Sequence, residues 1–192
     1  MEDKEKQDIE QKIKDLDKEL DSSNVSYVWM LKNGVVTDEK SVIATAGIAT
    51  CVGIAVSVTD SSGKVHRIVA HNSYTGEKSN KMNEEAIEYY LKVLEPIEKL
   101  DAMFCSMDSF TDFDNLDERE QEILNGINKM FEFYKEQHPD FQVPFHRSWY
   151  VKISPDGNFE YADDKMVEVY KEMKAREEER IKREQKLENV ER

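Results

Sequence analysis

Two kinds of hydrophobic pattern alternate along the chain. Segments whose apolar residues recur at spacings of three and four predict helices. These segments are residues 4–20, 81–95, 117–137 and 164 onwards. Between them lie short apolar runs rich in Val, Ile and aromatic residues, which are typical of strands. The predicted strands are residues 25–32, 42–48, 51–59, 65–71, 100–107, 145–153 and 158–161.

The segment Ser41–Tyr74 is the longest part of the chain that is mostly small and apolar, and charge is nearly absent up to Thr59. The turn Asp60–Gly63 joins its last two strands. Strands that are apolar on both faces are usually covered on both sides. We therefore predict an α/β fold of the α+β layered-sandwich type. A central, mostly antiparallel sheet is built on the 41–74 strand pair and covered by helices, and the terminal helices are charged.

Local signals sharpen some of these boundaries. Asn33-Gly34 predicts a hairpin turn. Asn80 is a predicted N-cap for the helix that follows it, and Asp117-x-x-Glu120 predicts a capping box. The 81–95 helix is expected to bury Met82, Ala86, Tyr89, Tyr90, Val93 and Leu94.

Charge is concentrated at the two ends of the chain. The first helix carries a narrow apolar seam from Ile9 to Leu20, and the last helix is almost entirely polar beyond Ala175. We divide the chain into an N-terminal amphipathic helix (1–22), a globular domain (25–162) and a charged C-terminal helix (163–192). Either terminal helix could engage a protein partner.

The balance of charge restricts the partners. There are 41 acidic and 27 basic side chains, for a net charge of −14. This acidity argues against binding to nucleic acid or anionic membranes, which requires clustered Lys and Arg. No apolar run approaches the ~20 residues that cross a bilayer, so no membrane insertion is expected. Two distant cysteines and an acidic N-terminus without a secretory signal predict a cytoplasmic protein with free thiols. Delivery into another cell as an effector is an open alternative.

The central segment holds a cysteine and a histidine at corresponding ends of adjacent predicted strands, Cys51 and His71. A histidine beside a thiol favours the thiolate and can protonate a leaving group. Asn72 and Ser73 follow His71 directly and are local candidates to orient its ring. The same pattern also fits an ordinary buried hairpin, in which Cys51 is a small apolar residue.

The remaining histidines and the second cysteine are weaker candidates. Cys105 has no histidine at a useful spacing and is expected to be structural. His66 lies five residues before His71, on the opposite face of the same strand. No Cys/His spacing matches a zinc site, and no phosphate-binding glycine motif is present. We therefore expect no metal and no cofactor.

The pattern Thr45-x5-Cys51-Val52-Gly53, followed by two strands and Ala70-His71, resembles the CheD chemoreceptor glutamine deamidases. It is more loosely similar to the deamidase toxins of the cytotoxic necrotizing factor type. By element order the resemblance covers roughly residues 25–161, so that 25–162 is expected to be a CheD-like catalytic domain. It implies that Cys51 is the nucleophile, that His71 is the base and that Thr45 orients His71.

The resemblance also implies a mechanism. The backbone around Thr50, Val52 and Gly53 would stabilise an oxyanion. Protein glutamine or asparagine side chains would become acids through a thioester, and the substrate would be a protein. Ile48-Ala49-Thr50 replaces the glycine-rich approach to the cysteine, and Cys105-Ser106-Met107 replaces a Gly-Gly-Ala. These departures argue against a chemoreceptor substrate more than against the chemistry.

Two other function classes remain open. One is a non-enzymatic interaction protein that uses its terminal helices. The other is a related cysteine hydrolase, such as a peptidase, or a transglutaminase-like enzyme.

Overall fold

The computed structural model describes residues 3–30, 32–36, 40–110 and 112–190. The helices are α1 (Asp3–Leu20), α2 (Glu77–Val93), α3 (Glu118–Met130), α4 (Glu132–Gln137) and α5 (Asp164–Val190). The first five strands are β1 (Val25–Tyr27), β2 (Lys32–Val36), β3 (Val42–Ala46), β4 (Val52–Asp60) and β5 (Val65–Asn72). The others are β6 (Ile97–Ser106), β7 (Phe145–Arg147), β8 (Tyr150–Ile153) and β9 (Phe159–Tyr161). Residues 1–2 and 191–192, the outermost ends of the predicted terminal helices, lie outside the described residues.

Two sheets pack face to face, with helices on both outer faces. One sheet has the strand order β1-β3-β8-β9, and the other has the order β2-β5-β4-β6-β7. Helices α2, α3 and α4 cover the five-stranded sheet, while α1 and α5 cover the four-stranded sheet. A third apolar cluster lies between the two sheets. The predicted α+β layered class is confirmed, but the cover on one face of the central strands is a second sheet.

The antiparallel hairpin β4–β5 lies at the centre of the five-stranded sheet, with β6 on its other side. Strand β3 precedes it in sequence but belongs to the opposite sheet, where it pairs with β1 and β8. Gly47 has a φ of +75° just after β3, a conformation that glycine adopts at no steric cost. The chain therefore changes sheets between Thr45 and Cys51, and the ends of β3 and β5 come to face each other.

Two predicted strands are each divided between the two sheets. The 25–32 strand is β1 in one sheet and the beginning of β2 in the other, and the 145–153 strand is β7 followed by β8. The predicted turn at Asn33-Gly34 is wrong, because both residues lie inside β2. A side-chain carbon at Gly34 would lie 2.9 Å from Val28 Cγ2, so glycine serves close packing here.

Helix α2 begins at Glu77, four residues before the predicted start, and Asn80 lies inside it. Its predicted inner face is wrong for four residues. Met82, Ala86, Tyr89 and Val93 are exposed. The helix buries Ile87 and Leu91 instead. Buried asparagines decide this orientation, since Asn83 is hydrogen-bonded to Asn33 and Asn72 on the sheet beneath it.

The terminal helices pack on each other and on the four-stranded sheet. Ile13, Leu16 and Leu20 of α1 are buried there. Ion pairs join Glu5 to Lys165 and Glu10 to Arg176. Residues 176–186 of α5 are exposed, as predicted. Among the described residues, no helix is long and apolar enough to span a membrane.

Candidate functional site

Thr45 and His71 meet between the two sheets, although 26 residues separate them in the chain. Thr45 lies near the end of β3 and His71 near the end of β5. The hydroxyl oxygen Oγ1 of Thr45 lies 2.7 Å from Nδ1 of His71. Both side chains are buried. The structure therefore brings together two of the three residues predicted to be catalytic.

The hydrogen-bond network determines which nitrogen of His71 carries the proton. The Thr45 hydroxyl donates to the backbone carbonyl of Val28 at 2.7 Å, and a carbonyl can only accept. Because the single hydroxyl proton is used there, Thr45 Oγ1 must accept from His71, and Nδ1 carries the hydrogen. The other ring nitrogen, Nε2, is then left with a free lone pair. That arrangement is the one required of a general base.

Burial keeps His71 neutral. Its side chain is only 3% exposed, and burial lowers its pKa from 6.5 to about 4. Among the described residues, Nε2 has no hydrogen-bond partner. A buried nitrogen without a partner is costly in a structure, and such costs often mark functional groups. His71 is therefore an uncharged base at neutral pH whose acceptor atom is unoccupied.

Cys51 lies at the same end of the sandwich. It comes two residues before Gly53, the direct partner of His71 in the β4–β5 ladder. Strand alternation places residues 51 and 53 on one face. Cys51 indeed packs against the cluster between the sheets. It is half-buried, and its sulfur makes no hydrogen bond with Nε2 of His71.

The environment of Cys51 favours the neutral thiol in this state. Burial raises the pKa of the thiol, and hydrogen bonding from the Tyr74 backbone and the Ser73 side chain opposes that effect less strongly. The Cys51 sulfur also lies 3.7 Å from the sulfur of Met30. A neutral thiol and a neutral imidazole that come into contact need only one proton transfer to become a nucleophile and an imidazolium.

The loop before Cys51 is held by two buried serines that the sequence analysis missed. Ser106 Oγ donates to the carbonyl of Ala49 at 3.1 Å, and Ser109 Oγ donates to the carbonyl of Thr50 at 3.2 Å. The backbone N–H of Ser109 in turn donates to Ser106 Oγ at 3.3 Å. These bonds fix the carbonyl side of the loop from the end of β6.

The N–H side of this loop is open. Among the described residues, the backbone N–H groups of Thr50 and Cys51 have no acceptor. The predicted oxyanion support at Thr50 therefore has a free donor. Val52 and Gly53 lie within β4, where the backbone belongs to the sheet ladder. Gly53 contributes close packing instead, since a side-chain carbon there would lie 2.4 Å from Ile48 Cδ1.

The segment that contacts the cysteine carries two exposed apolar residues, Trp29 and Met30. Trp29 is 72% exposed and Met30, which contacts the Cys51 sulfur, is 54% exposed. Both lie between β1 and β2, where the chain passes from one sheet to the other. The sequence analysis placed both residues inside a strand and missed them. Met30 gives the cysteine an apolar neighbour on the protein surface.

The weaker candidates lie elsewhere. Cys105 is fully buried, and burial raises the pKa of its thiol to about 12. His66 pairs with Asp60 at 2.7 Å and lies near Tyr90 of α2, on the face opposite to His71. His138 stacks on Tyr134, and His146 packs at a tilt against Tyr161. No group of three His, Cys, Asp or Glu in the described part of the chain could hold a metal ion.

The local alternatives to Thr45 also take other roles. The Asn72 side-chain oxygen accepts from Asn83 of α2 at 2.8 Å, on the outer face of the sheet. Ser73 lies beside Cys51 rather than at the His71 ring. Comparison with known proteins adds no further assignment, because no protein-family model and no curated protein matches the chain. The function must therefore be inferred from the site itself.

Proposed function

We propose that the protein is a Cys/His-dependent amide hydrolase, a protein-glutamine deamidase in which Cys51 is the nucleophile and His71 the base. The hydrogen-bonded chain from His71 Nδ1 through Thr45 to the Val28 carbonyl carries the proposal. It supplies what a cysteine hydrolase needs beyond the thiol: a buried imidazole of fixed tautomer whose Nε2 is free. The CheD-like sequence pattern supports the same assignment of roles.

The reaction begins with a proton transfer. As the substrate carboxamide enters, His71 Nε2 takes the proton of the Cys51 thiol, and the thiolate attacks the carboxamide carbon. The C=O electron pair moves to oxygen, where the N–H groups of Thr50 and Cys51 can stabilise the negative charge. The protonated ring then gives its proton to the departing nitrogen, and ammonia leaves with the C–N bonding pair.

The resulting thioester is hydrolysed by the same two groups. Nε2 takes a proton from water as the hydroxide adds to the thioester carbon. The C–S bond then breaks, the sulfur takes the proton back from Nε2 to restore the thiol, and the side chain is left as a glutamate. Attack by an amine instead of water would give a transglutaminase product. The resting structure does not hydrogen-bond Cys51 to His71, so the proposed first step requires the two groups to come together. Catalytic hydrogen bonds often form only when substrate is bound.

The surface around Cys51 favours a protein substrate. The cysteine is half-buried against Met30, and both Met30 and its sequence neighbour Trp29 expose most of their side chains. An open apolar border fits a side chain presented from a folded surface better than a small molecule enclosed on all sides. A cytoplasmic location and a further partner bound by α1 or α5 are parts of the same proposal.

Intact-mass measurement with a glutamine-directed chloroketone peptide tests the proposal. The wild-type chain should form one adduct at Cys51, and C51S should form none. H71Q and T45V should react at least tenfold more slowly with this probe, a threshold below the roughly 100- to 10,000-fold that a positioned general base typically contributes. Iodoacetamide, which needs no substrate-binding site, controls for accessibility of the thiol.

The outcome that contradicts the proposal is equal chloroketone labelling of wild type, H71Q and T45V. The assay for turnover is ammonia release from glutamine-containing proteins, with peptide mapping to identify acid, crosslinked or cleaved products. Crosslinked or cleaved products would be consistent with Cys51 as nucleophile and His71 as base, but they would show that the protein is not a deamidase.

A further inference from the structure

The outer face of α2 carries an apolar seam that nothing in the described structure covers. The seam consists of Met82, Ala86, Tyr89 and Val93. Met82, Tyr89 and Val93 are 61%, 71% and 60% exposed, and Ala86 is exposed too. These residues were expected inside the protein, yet the helix turns them to solvent and buries Asn80 and Asn83.

The spacing of the seam is that of a helix–helix contact. Its residues follow one another at intervals of four, three and four, which are the a and d positions of two heptads. Scattered exposed apolar residues need no explanation, but an aligned stripe at this spacing marks a surface that another helix can pack against.

We propose that the seam binds the seam of a second copy of this chain, with the two α2 helices antiparallel about a two-fold axis. The four-three-four spacing is the same in both directions, so an antiparallel pair is in register with itself. Met82 then faces Val93 of the second copy, and Ala86 faces Tyr89. Each large side chain meets a smaller one, as close packing requires.

The charges beside the seam are complementary in the same arrangement. Glu85 and Lys92 flank the seam on one side, and their side chains are 64% and 51% exposed. Antiparallel packing brings Glu85 of each copy next to Lys92 of the other, so two opposite-charge pairs form. In the single chain these residues pair with Lys81 and Glu88. Such exposed pairs contribute little and can be exchanged.

Lys92 Nζ also lies over the Phe133 ring of α4, 6.0 Å from the ring centre, at the outer limit of a cation–π contact. The contact surface spans only about two heptads, which is smaller than a standard protein interface. The net charge of −14 on each chain further opposes association. The geometry therefore predicts a weak, concentration-dependent dimer rather than a permanent one.

Sedimentation velocity of the full chain at physiological salt, from about 10 µM to about 1 mM, measures the dimer. The expected result is a monomer at the lowest concentration and a two-copy species that grows as concentration rises. Y89E places a charge in the seam and should leave a monomer throughout. I181E is the matched control, because Ile181 is exposed apolar surface on α5 and should not affect dimerisation.

Charge exchange tests the antiparallel arrangement itself. E85K and K92E should each weaken the dimer, since each puts like charges together twice, and the E85K/K92E double variant should restore it. The double variant does not restore the pairs with Lys81 and Glu88 within the helix. Recovery can therefore come only from contacts between copies, and circular dichroism confirms that α2 is intact.

Three results would overturn the proposal. One is a monomer at every concentration. Another is a dimer that Y89E leaves unchanged, above all if I181E abolishes it. The third is a double variant no stronger than the single ones, which would exclude the antiparallel pairing.

Discussion

Protonation of His71 should make the protein less stable in mild acid. In the folded chain its pKa is lowered to about 4 by burial, whereas the ordinary value is 6.5. Between these pH values the unfolded chain binds a proton that the folded chain does not. Stability must therefore rise with pH across this window. The contribution is complete above pH 6.5 and is lost as the pH falls toward 4.

The size of the effect follows from the difference in pKa. A fall from 6.5 to about 4, at about 1.36 kcal/mol for each pKa unit, corresponds to about 3 kcal/mol of unfolding free energy at pH 4. Only 3% of the side chain is exposed, so solvent screening reduces this figure little. For a domain of ordinary stability, 3 kcal/mol is a large fraction of the total.

The His71→Gln variant separates the contribution of His71 to the pH dependence of stability from that of the many carboxylates that titrate in the same pH range. Urea unfolding of both proteins from pH 7.5 to pH 4 gives their stability difference at each pH. Wild type should lose about 3 kcal/mol relative to H71Q over this range. NMR titration of the wild-type His71 ring measures the same pKa directly. Parallel stability profiles, or a ring pKa near 6.5, would refute the reasoning.

Three further predictions follow from the site. Iodoacetamide should modify Cys51 alone in the native chain, because Cys105 is buried with a thiol pKa raised to about 12; two adducts in the mass spectrum would contradict this. Gly53→Ala should lower the unfolding free energy by about 1 to 2 kcal/mol, since the added carbon crowds Ile48. An unchanged urea-unfolding curve would contradict this, because it would show that the Ile48 side chain moves aside without cost. Ser109→Ala should lower kcat and change KM little, because the Ser109 hydroxyl holds the loop before Cys51 that carries the oxyanion donors. A change in KM alone would show that Ser109 acts in substrate binding instead.

Several features of the fold could be predicted from local sequence. The capping box at Asp117 and Glu120 is confirmed, with both reciprocal hydrogen bonds present. The turn at Asp60–Gly63 and the hairpin it joins are also where the pattern placed them. These features depend on residues within a few positions of one another. Local hydrogen bonding and backbone preference are sufficient to specify them.

The orientation of α2 could not be predicted in this way. Its sequence contains two apolar stripes, and periodicity alone favoured the one that includes Met82 and Tyr89. The structure buries the other, because Asn83 finds partners in Asn33 and Asn72 on the sheet. Those partners are distant in sequence, so no local pattern contains this information.

The candidate site shows the same division. The sequence by itself determined the chemistry available, since it placed a thiol, an imidazole and a hydroxyl in one apolar segment. Only the tertiary structure decided how they act. Because β3 packs in the opposite sheet, Thr45 lies against His71. The Thr45 hydroxyl donates its proton to the Val28 carbonyl, so the hydrogen of His71 is on Nδ1 and Nε2 is free. Sequence fixes the order of strands along the chain, but the pairing of strands between sheets depends on contacts among all of them.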